Sequence, residues 1–325
     1  MLDLRLATLH ALSSRAKRGI CFPLVLAALL SSPAAAQAPA RPRILGIRHV
    51  EIHVSDPKAA KKFYGALEQV VGECVGCKGS SPYIWLQLPA EQSILLWNAS
   101  SLPRPSLPKS SLLKSVGFEI EDVERMADFL RANGISFERM YPVDGDPELV
   151  ATDPEGREIR FIQPDPSPMN RRRAGTLKSK PVRLIHAGFI VRDRPATEHF
   201  YKDILGFRPY WHGGMKDGQD DWVSLQVPDG TDWLEFMVNV SPDADQRLRG
   251  IMNHIAIGVT DIQAAKAQLI KNGAKLTEEP KLGRDGKWQL NLYDPDKTRV
   301  EFMEFTPVQK PCCSEYTGPH PGSKQ

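Results

Sequence analysis

The chain of 325 residues is poor in cysteine, in net charge and in long apolar runs. Its five cysteines are Cys21, the pair Cys74 and Cys77 in "ECVGCKG", and the adjacent Cys312 and Cys313. No histidine lies at zinc-site spacing from either pair, and the glycines around the first pair indicate a loop, not the helix start of a redox site. We therefore expect both pairs to be non-catalytic, with structural disulfide bridges as the more plausible role.

The charge balance argues against polyanionic partners. The formal net charge of +3 falls to zero, with 38 basic and 38 acidic residues, once residues 1–36 are set aside. No excess of positive charge is then left to attract a polyanion. Binding to nucleic acid or to an anionic lipid surface is therefore not expected.

Residues 1–36 have the features of an export signal. Lys17 and Arg18 precede the apolar run "ICFPLVLAALL", and Ala34, Ala35 and Ala36 supply the small residues that a signal peptidase requires. The run is too short to span a bilayer, and no later segment is apolar enough to do so. We expect an exported protein, periplasmic or secreted, with a short membrane anchor as the alternative interpretation of this segment.

A pattern of strand, aspartate and amphipathic helix occurs four times. The copies are "IRHVEIHVSDPKAAKKFYGAL", "KSVGFEIEDVERMADFLRANG", "LIHAGFIVRDRPATEHFYKDILGF" and "MNHIAIGVTDIQAAKAQLIKNG", with aspartates Asp56, Asp122, Asp193 and Asp261. Each aspartate stands where a helix N-cap belongs, ahead of apolar residues spaced three and four apart. A period of roughly 65 to 70 residues suits a βαβββ module. The sequence therefore predicts an α+β fold of four such modules.

Composition also predicts the domain limits. A stretch rich in proline and charge over 166–181 separates the first two modules from the last two. We predict an N-terminal domain over 44–165 and a C-terminal domain over 182–306. Since no periodicity follows, residues 307–325 are expected to form a mobile tail.

Candidate metal ligands recur at matching positions of the modules. The residue seven before each capping aspartate is, in chain order, His49, Ser115, His186 and His254. The last strands of the third and fourth modules, "DWLEFMV" and "YDPDKTRVEFMEF", add Glu235 and Glu301, which follow the histidines of their modules by 49 and 47 residues. Two imidazoles and two carboxylates suit a divalent ion and leave positions for water or substrate.

Each of these residues alone has a simpler interpretation. Glu235 could face water from an edge strand, and His186 or His254 could be an ordinary core histidine. Four such residues at duplicated positions favour a metal site. A metal would also explain a carboxylate placed between Leu234 and Phe236, where an unpaired charge is costly.

The repeat and these four residues resemble the vicinal oxygen chelate superfamily over roughly residues 44–306. This superfamily includes glyoxalases, extradiol dioxygenases and fosfomycin-resistance proteins. The resemblance implies that modules pair into two half-open barrels that can cup a divalent metal. Glyoxalase I is similar in its order of ligands, which implies that His186, Glu235, His254 and Glu301 bind Ni, Zn, Co, Mn or Fe.

The first half departs from this pattern. Ser115 and Arg160 ("DPEGREIRF") stand at ligand positions, and "SILLWNA" offers no carboxylate. We expect the N-terminal barrel to bind no catalytic metal, with His49 and His53 packed or on the surface. One active barrel beside an inactive one resembles the two-domain extradiol dioxygenases.

Two enzymatic interpretations remain open. In the first, a glyoxalase- or epimerase-like lyase or isomerase, the metal holds vicinal oxygens of a small molecule. Glu235 or Glu301 then removes an adjacent C–H proton to give a metal-stabilised enediolate. In the second, His186, His254 and Glu301 form the facial triad of an Fe(II)-dependent extradiol-type ring-cleaving dioxygenase.

The first interpretation is preferred. A fourth ionised ligand, Glu235, would occupy a position that oxygen or substrate needs, and "GKWQLNLYDPD" offers no acid/base histidine. Since an exported protein would rarely meet a glutathione adduct, the expected substrate is another small molecule with vicinal oxygens. A non-catalytic ligand-binding (resistance) protein is a third possibility, which the retention of all four ligands disfavours. Weaker candidates for substrate contact are His212, Trp288 and Tyr293.

Overall fold

The computed structural model describes residues 39–67, 83–88, 91–99, 112–141, 146–164 and 182–322. The expected export signal, the predicted linker over 166–181 and the pair Cys74 and Cys77 lie outside the described residues. Within the described part of the chain, no helix is both long enough and apolar enough to cross a lipid bilayer.

The N-terminal half forms a seven-stranded mixed sheet. Its elements are β1 (Ile44–Val54), α1 (Pro57–Gly65), β2 (Tyr83–Gln87), β3 (Ser93–Asn98), β4 (Leu113–Ile120), α2 (Val123–Ala132), β5 (Phe137–Met140), β6 (Glu148–Thr152) and β7 (Glu158–Ile162). The strands lie in the order β2-β3-β1-β4-β7-β6-β5.

The C-terminal half forms an eight-stranded sheet in the order β13-β14-β15-β12-β8-β11-β10-β9. Its first module contains β8 (Arg183–Ile190), α3 (Arg194–Glu198) with a π-helical continuation (His199–Ile204), β9 (Arg208–Gly213), β10 (Trp222–Gln226) and β11 (Trp233–Met237). A short helix, α4 (Gln246–Met252), leads into the second module. That module contains β12 (His254–Val259), α5 (Ile262–Lys271), β13 (Lys281–Leu282), β14 (Trp288–Tyr293) and β15 (Arg299–Glu304).

One pairing rule builds both sheets. The last strand of every module pairs in parallel with the first strand of the same module, as β3 does with β1 and β15 with β12. The first strands of two partner modules then pair antiparallel, β1 with β4 and β8 with β12. The predicted α+β fold of paired βαβββ modules in two half-open barrels is confirmed.

The four aspartates cap the helices that follow them. The side chain of Asp56 accepts hydrogen bonds from the backbone N–H groups of Lys58 and Ala59, and Asp261 does the same for Gln263 and Ala264. Asp122 and Asp193 each cap a helix in the same way. Such a cap satisfies N–H groups that have no partner inside the helix, which is why each helix begins where the sequence predicts.

Each sheet has a face that packs against the helices and an opposite face that lines the barrel, here called the cup face. On β12, Ile255, Ile257 and Val259 join the buried apolar core together with Leu269 of α5. Strand residues alternate between faces, so His254 projects from the other side. The helix-side core, which draws on both halves, therefore holds the fold together, while the cup face of the C-terminal sheet carries polar residues beside a smaller buried apolar cluster.

Two reciprocal hydrogen bonds join the halves. The hydroxyl of Tyr64 on α1 donates to Asp294 Oδ2 at 3.2 Å, and that of Tyr201 donates to Asp153 Oδ2 at 3.1 Å. Each aspartate lies in the turn before the last strand of a module in the opposite half. All four side chains are buried, so these bonds couple the two barrels.

The described part of the segment after β15, residues 307–322, packs on the C-terminal sheet. The sequence analysis predicted a mobile tail here. The backbone N–H of Thr317 donates to the carbonyl of Tyr210, and Gln226 Nε2 donates to the carbonyl of Pro319 at 2.8 Å. Cys312 and Cys313 form a disulfide with each other. The tail lacks periodicity because it runs along the C-terminal sheet without adding a strand to it.

The two joints predict unequal losses of stability. Replacing Tyr64 with Phe removes the donor to Asp294 Oδ2, which has no second donor among the described residues, and should lower the free energy of unfolding by about 1–3 kcal/mol. Replacing Tyr201 with Phe should cost about 0.5–1.5 kcal/mol, because Arg157 still donates to Asp153 Oδ2. Urea denaturation of the two variants measures the difference, and equal losses would contradict the assigned contacts.

Candidate metal centre

Four adjacent strands at the middle of the C-terminal sheet, β11, β8, β12 and β15, carry the four candidate ligands. Residues that lie directly opposite one another on these strands form two rows across the sheet, Glu235–Gly188–His254 and Trp233–His186–Ala256–Glu301. Residues directly opposite each other in a sheet project from the same face. The four side chains therefore meet on the cup face of this sheet.

The rows obey a local two-fold relation. Glu235 lies opposite Gly188, two residues after His186, and Glu301 lies opposite Ala256, two residues after His254. Each module thus contributes one histidine and one glutamate in the same relative position. This symmetry accounts for the nearly equal spacing of the two pairs in the sequence.

Gly188 makes room for the second histidine. A Cβ at this position would lie 2.6 Å from Nε2 of His254 and would overlap the rest of the imidazole ring. The His254 ring therefore lies directly over the backbone of β8. Only glycine permits this approach, which brings His254 next to His186.

The candidate ligand atoms converge. His254 Nε2 lies 3.0 Å from His186 Nε2 and 3.2 Å from Glu235 Oε2. Glu301 Oε2 lies 3.5 Å from His186 Nε2 and 3.8 Å from His254 Nε2. Atoms bound to one ion at about 2.1 Å lie roughly 3.0 Å apart at right angles and roughly 3.4 Å apart at tetrahedral angles. His186, Glu235 and His254 offer three ligand atoms that lie within 4.8 Å of one another and could share one divalent ion, while Glu301 lies beside the two histidines outside that group.

The contacts of His254 orient it as a metal ligand. Nδ1 of His254 lies 3.3 Å from the carbonyl oxygen of Met252, and since a carbonyl only accepts, this contact favours the proton on Nδ1. The lone pair of Nε2 then points at the other ligands. Both histidine side chains are 0% exposed and Glu301 is 3% exposed, whereas Glu235 keeps 14% of its side chain exposed.

Local charges set the protonation states that metal binding requires. Burial would raise the pKa of Glu301, but Arg299 and the two histidines outweigh it and lower that pKa to about 2. Burial, assisted by Arg299, lowers the pKa of His254 to about 4. Burial also opposes the ionisation of Glu235, yet its contact with His254 leaves the pKa of that carboxyl below its usual value. Ionised carboxylates and a neutral imidazole are the forms that bind a metal.

The N-terminal barrel places a different set at the equivalent positions. His49 lies opposite Gly117, as His254 lies opposite Gly188, and a Cβ on Gly117 would lie 2.8 Å from His49 Nε2. Arg160 stands where Glu301 stands in the other barrel. Its guanidinium lies 3.4 Å from the buried carboxylate of Glu51, which also accepts from Ser115 Oγ at 2.7 Å.

A second cation completes this network. Lys114 donates to Glu51 Oε2 at 2.7 Å, so two protein cations neutralise the buried carboxylate. The centre of this cup is thus occupied by side-chain ion pairs. That this barrel binds no catalytic metal stays a prediction, which this arrangement favours.

Only one of the weaker substrate candidates shares the cup face. Tyr293 lies opposite Arg299 in the row of Glu235 and His254, and its hydroxyl donates to Glu278 Oε1 at 2.5 Å. Trp288 projects from the other face and packs against the helix-side core. His212 likewise lies on the face opposite Glu235, exposed, with Nδ1 2.7 Å from Asp220 Oδ1. Side chains alternate between the two faces of a strand, so the sequence could have assigned both residues to the helix side if it had fixed the residue at which each strand begins.

The sequence analysis missed several groups of the cup face. Lys287, immediately before β14, is fully buried beside Trp233, whose ring lies 4.6 Å from the ring of His186. Tyr316 and His320 reach the same region from the tail. The sequence signal that could have indicated a docked tail is the occurrence of Tyr316 and His320 in "SEYTGPHPG", since such side chains are more typical of a packed segment than of a mobile one.

Comparison with known proteins supports the expected relationship. Residues 183–302 match the family described as the Glyoxalase/Bleomycin resistance protein/Dioxygenase superfamily. A lactoylglutathione lyase of Haemophilus influenzae is 27% identical over 125 residues, which are 38% of this chain and 93% of that protein. The predicted resemblance is confirmed.

Solved structures show the same fold over most of the chain. Homoprotocatechuate 2,3-dioxygenase from Brevibacterium fuscum superposes with a TM-score of 0.59 at 20% identity, covering 87% of this chain and 75% of that one. The enzyme of the same name from Arthrobacter globiformis gives a TM-score of 0.59 at 18% identity, covering 87% and 84%. At these identities the likeness is one of fold.

Gly188 offers a test of the geometry that needs no substrate. Replacing Gly188 with Ala forces the His254 ring away from its neighbours and should destabilise the protein by about 1–3 kcal/mol. Gly65, whose Cβ would meet no atom within 4 Å, provides the matched control as Gly65→Ala. Thermal unfolding compares the two variants, and equal midpoints would show that His254 does not lie over Gly188.

Proposed function

We propose that the C-terminal half of this chain, which belongs to the vicinal oxygen chelate superfamily, is a metal-dependent lyase or isomerase of the glyoxalase type. His186, Glu235, His254 and Glu301 would hold the divalent ion. The observation that carries this proposal is the convergence of His186, Glu235 and His254, whose ligand atoms lie within 4.8 Å of one another in a buried cup. Glu301 Oε2 lies 3.5 and 3.8 Å from the two histidine nitrogens. The substrate class is a small molecule with adjacent carbonyl and hydroxyl oxygens.

The two glutamates have different surroundings. When bound, the metal would polarise the substrate oxygens and make the neighbouring C–H bond more acidic. Glu301 is nearly sealed and close to both histidines, which suits a permanent ligand. Glu235 has the more exposed side chain and contacts His254 alone among the described ligands, so it is better placed to remove and return the substrate proton.

Glu235→Gln tests this division of roles. The amide keeps the size of the side chain but cannot act as a base, so isomerisation of α-hydroxycarbonyl compounds should fall by about 10²-fold or more. Metal content, measured by elemental analysis, should remain substantial because His186, His254 and Glu301 are unchanged. Glu279→Gln, at an exposed position outside the cup, is the control expected to keep full activity.

Two outcomes would contradict the proposed roles. A Glu235→Gln variant that isomerises its substrate at the unaltered rate would remove Glu235 from the role of base. Stoichiometric metal without any turnover in the parent protein would favour a ligand-binding protein instead.

An Fe(II)-dependent extradiol-type dioxygenase is the second candidate. The observation in its favour is the two-barrel layout, which matches that of ring-cleaving dioxygenases over 87% of the chain. His186, His254 and Glu301 would then form the facial triad, and Glu235 would not be a required ligand. Oxygen uptake with catechols by the iron-loaded protein, retained in Glu235→Gln, would establish this function in place of the first.

We propose that the protein is exported from the cytoplasm. The basic residues, apolar run and alanines of residues 1–36 support cleavage and export to the periplasm or outside the cell. The balanced charge of the remaining chain supports a small-molecule substrate without nucleic acid or membrane partners. Mass spectrometry of the protein isolated from the producing cell would reveal whether residues 1–36 are removed.

A further inference from the structure

Lys287 is the most unusual charged group outside the ligand set. Its side chain is 0% exposed, a rare condition for lysine, and its ammonium lies among three aromatic rings. The distances from Nζ to the ring centroids are 4.6 Å for Trp233, 5.3 Å for Tyr316 and 5.5 Å for Tyr210. Burial of a cation is costly, and cation–π contacts recover only part of that cost.

The ammonium is poorly satisfied by hydrogen bonds. Within the described residues, Tyr210 is its one hydrogen-bond partner, with Nζ donating to Oη at 3.4 Å. The carboxyl of Asp285, on the same hairpin, accepts instead from the backbone N–H of Lys287 and from Gln289. A buried ammonium with unfilled donor positions points to a role beyond packing.

Tyr210 connects Lys287 with the tail. Its oxygen lies 2.7 Å from Nδ1 of His320, which is partly exposed. The phenol thus accepts a hydrogen bond from the ammonium and can donate its own proton to the imidazole. The three groups form a directed chain from the buried interior to the surface.

The protonation states of Tyr210 and His320 suit proton transfer in this direction. Burial raises the pKa of Tyr210, so the phenol keeps its proton and can donate it. Burial, assisted by the charge of Lys287, lowers the pKa of His320, so its imidazole is free to accept. Burial also lowers the pKa of Lys287, against the opposing effect of Asp285.

The tail is held in the position that this chain needs. The backbone of Thr317 is bonded to the carbonyl of Tyr210, and the Tyr316 hydroxyl donates to the carbonyl of Asp285 at 2.9 Å. The carbonyl of Pro319 accepts from Gln226, directly before His320. His320 is therefore fixed over Tyr210 by contacts on both strand β9 and the hairpin.

We propose that Lys287, Tyr210 and His320 form a proton relay between the C-terminal cup and the solvent. Lys287 passes a proton to the oxygen of Tyr210 while Tyr210 passes its own proton to Nδ1 of His320. The products are a neutral amine at Lys287 and an imidazolium at His320, which releases its Nε2 proton to bulk water. The reverse sequence reloads the ammonium.

The relay lies beside the candidate metal centre. Trp233 separates the Lys287 ammonium from the His186 imidazole, with 4.6 Å from the indole to each. The charged and titratable groups around Lys287 are Asp285 on its hairpin, Glu235, Glu301, Tyr210 and Tyr316, with His320 beyond Tyr210. The relay's use in turnover rests on the proposed function, but its existence does not.

Exchange of the Lys287 ammonium protons with water tests the relay without substrate. The full chain is labelled with ¹⁵N-lysine, and the Nζ resonance is assigned by its loss in Lys287→Met. Tyr210→Phe keeps the aromatic ring and the backbone contacts of the tail but breaks the chain. It should slow the exchange by roughly tenfold, equivalent to about 1.4 kcal/mol in the barrier. His320→Gln should slow it to a similar extent.

His199→Gln is the matched control, because His199 is an exposed histidine bonded to Asp203 on the helix side and should leave the exchange unchanged. In His320→Gly, added imidazole should restore fast exchange, since it can take the place of the missing side chain. Unchanged or faster exchange in Tyr210→Phe would overturn the proposal, as would a lack of rescue by imidazole. Since no turnover is measured, failure here is distinct from failure of the proposed enzymatic function.

Discussion

Two imidazole nitrogens and two ionised carboxylates share a buried space at low cost only when a positive charge, from a proton or a metal ion, lies among them. This electrostatic constraint governs the C-terminal cup, where four groups with lone pairs meet and hardly any water reaches them. The N-terminal cup meets the same constraint with the protein's own cations, because Arg160 and Lys114 surround Glu51. The same scaffold thus carries a candidate site for an ion from solution in one cup and a guanidinium supplied by the chain in the other.

Much of the fold could be predicted because its signals are local. A capping aspartate followed by an amphipathic helix depends only on neighbouring residues, and its fourfold recurrence revealed the modules. The ligand set followed from the same spacing, since a duplicated module places equivalent residues at equivalent sites. Their placement on one face of the sheet is a property of the register of β11, β8, β12 and β15, which the duplication implied without specifying distances.

Other features depend on contacts between distant segments and left little trace in the sequence. Gly188 is one glycine among 24, and only the ring of His254 above it reveals its purpose. His212 and Trp288 were placed near the substrate from the composition of their surroundings, whereas the strand register turns both to the other face. The tail lacks any period, yet hydrogen bonds to Tyr210 and Gln226 seat it on the sheet.

The reciprocal joints between Tyr64 and Asp294 and between Tyr201 and Asp153 connect the helix side of each half with a turn of the other. The N-terminal half thereby braces its neighbour through residues that lie away from its own cup. Its interior is then free to vary during evolution as long as the volume and charge balance around Glu51 are preserved. A half whose cup is filled by its own ion pairs can in this way serve as a structural support for the other half.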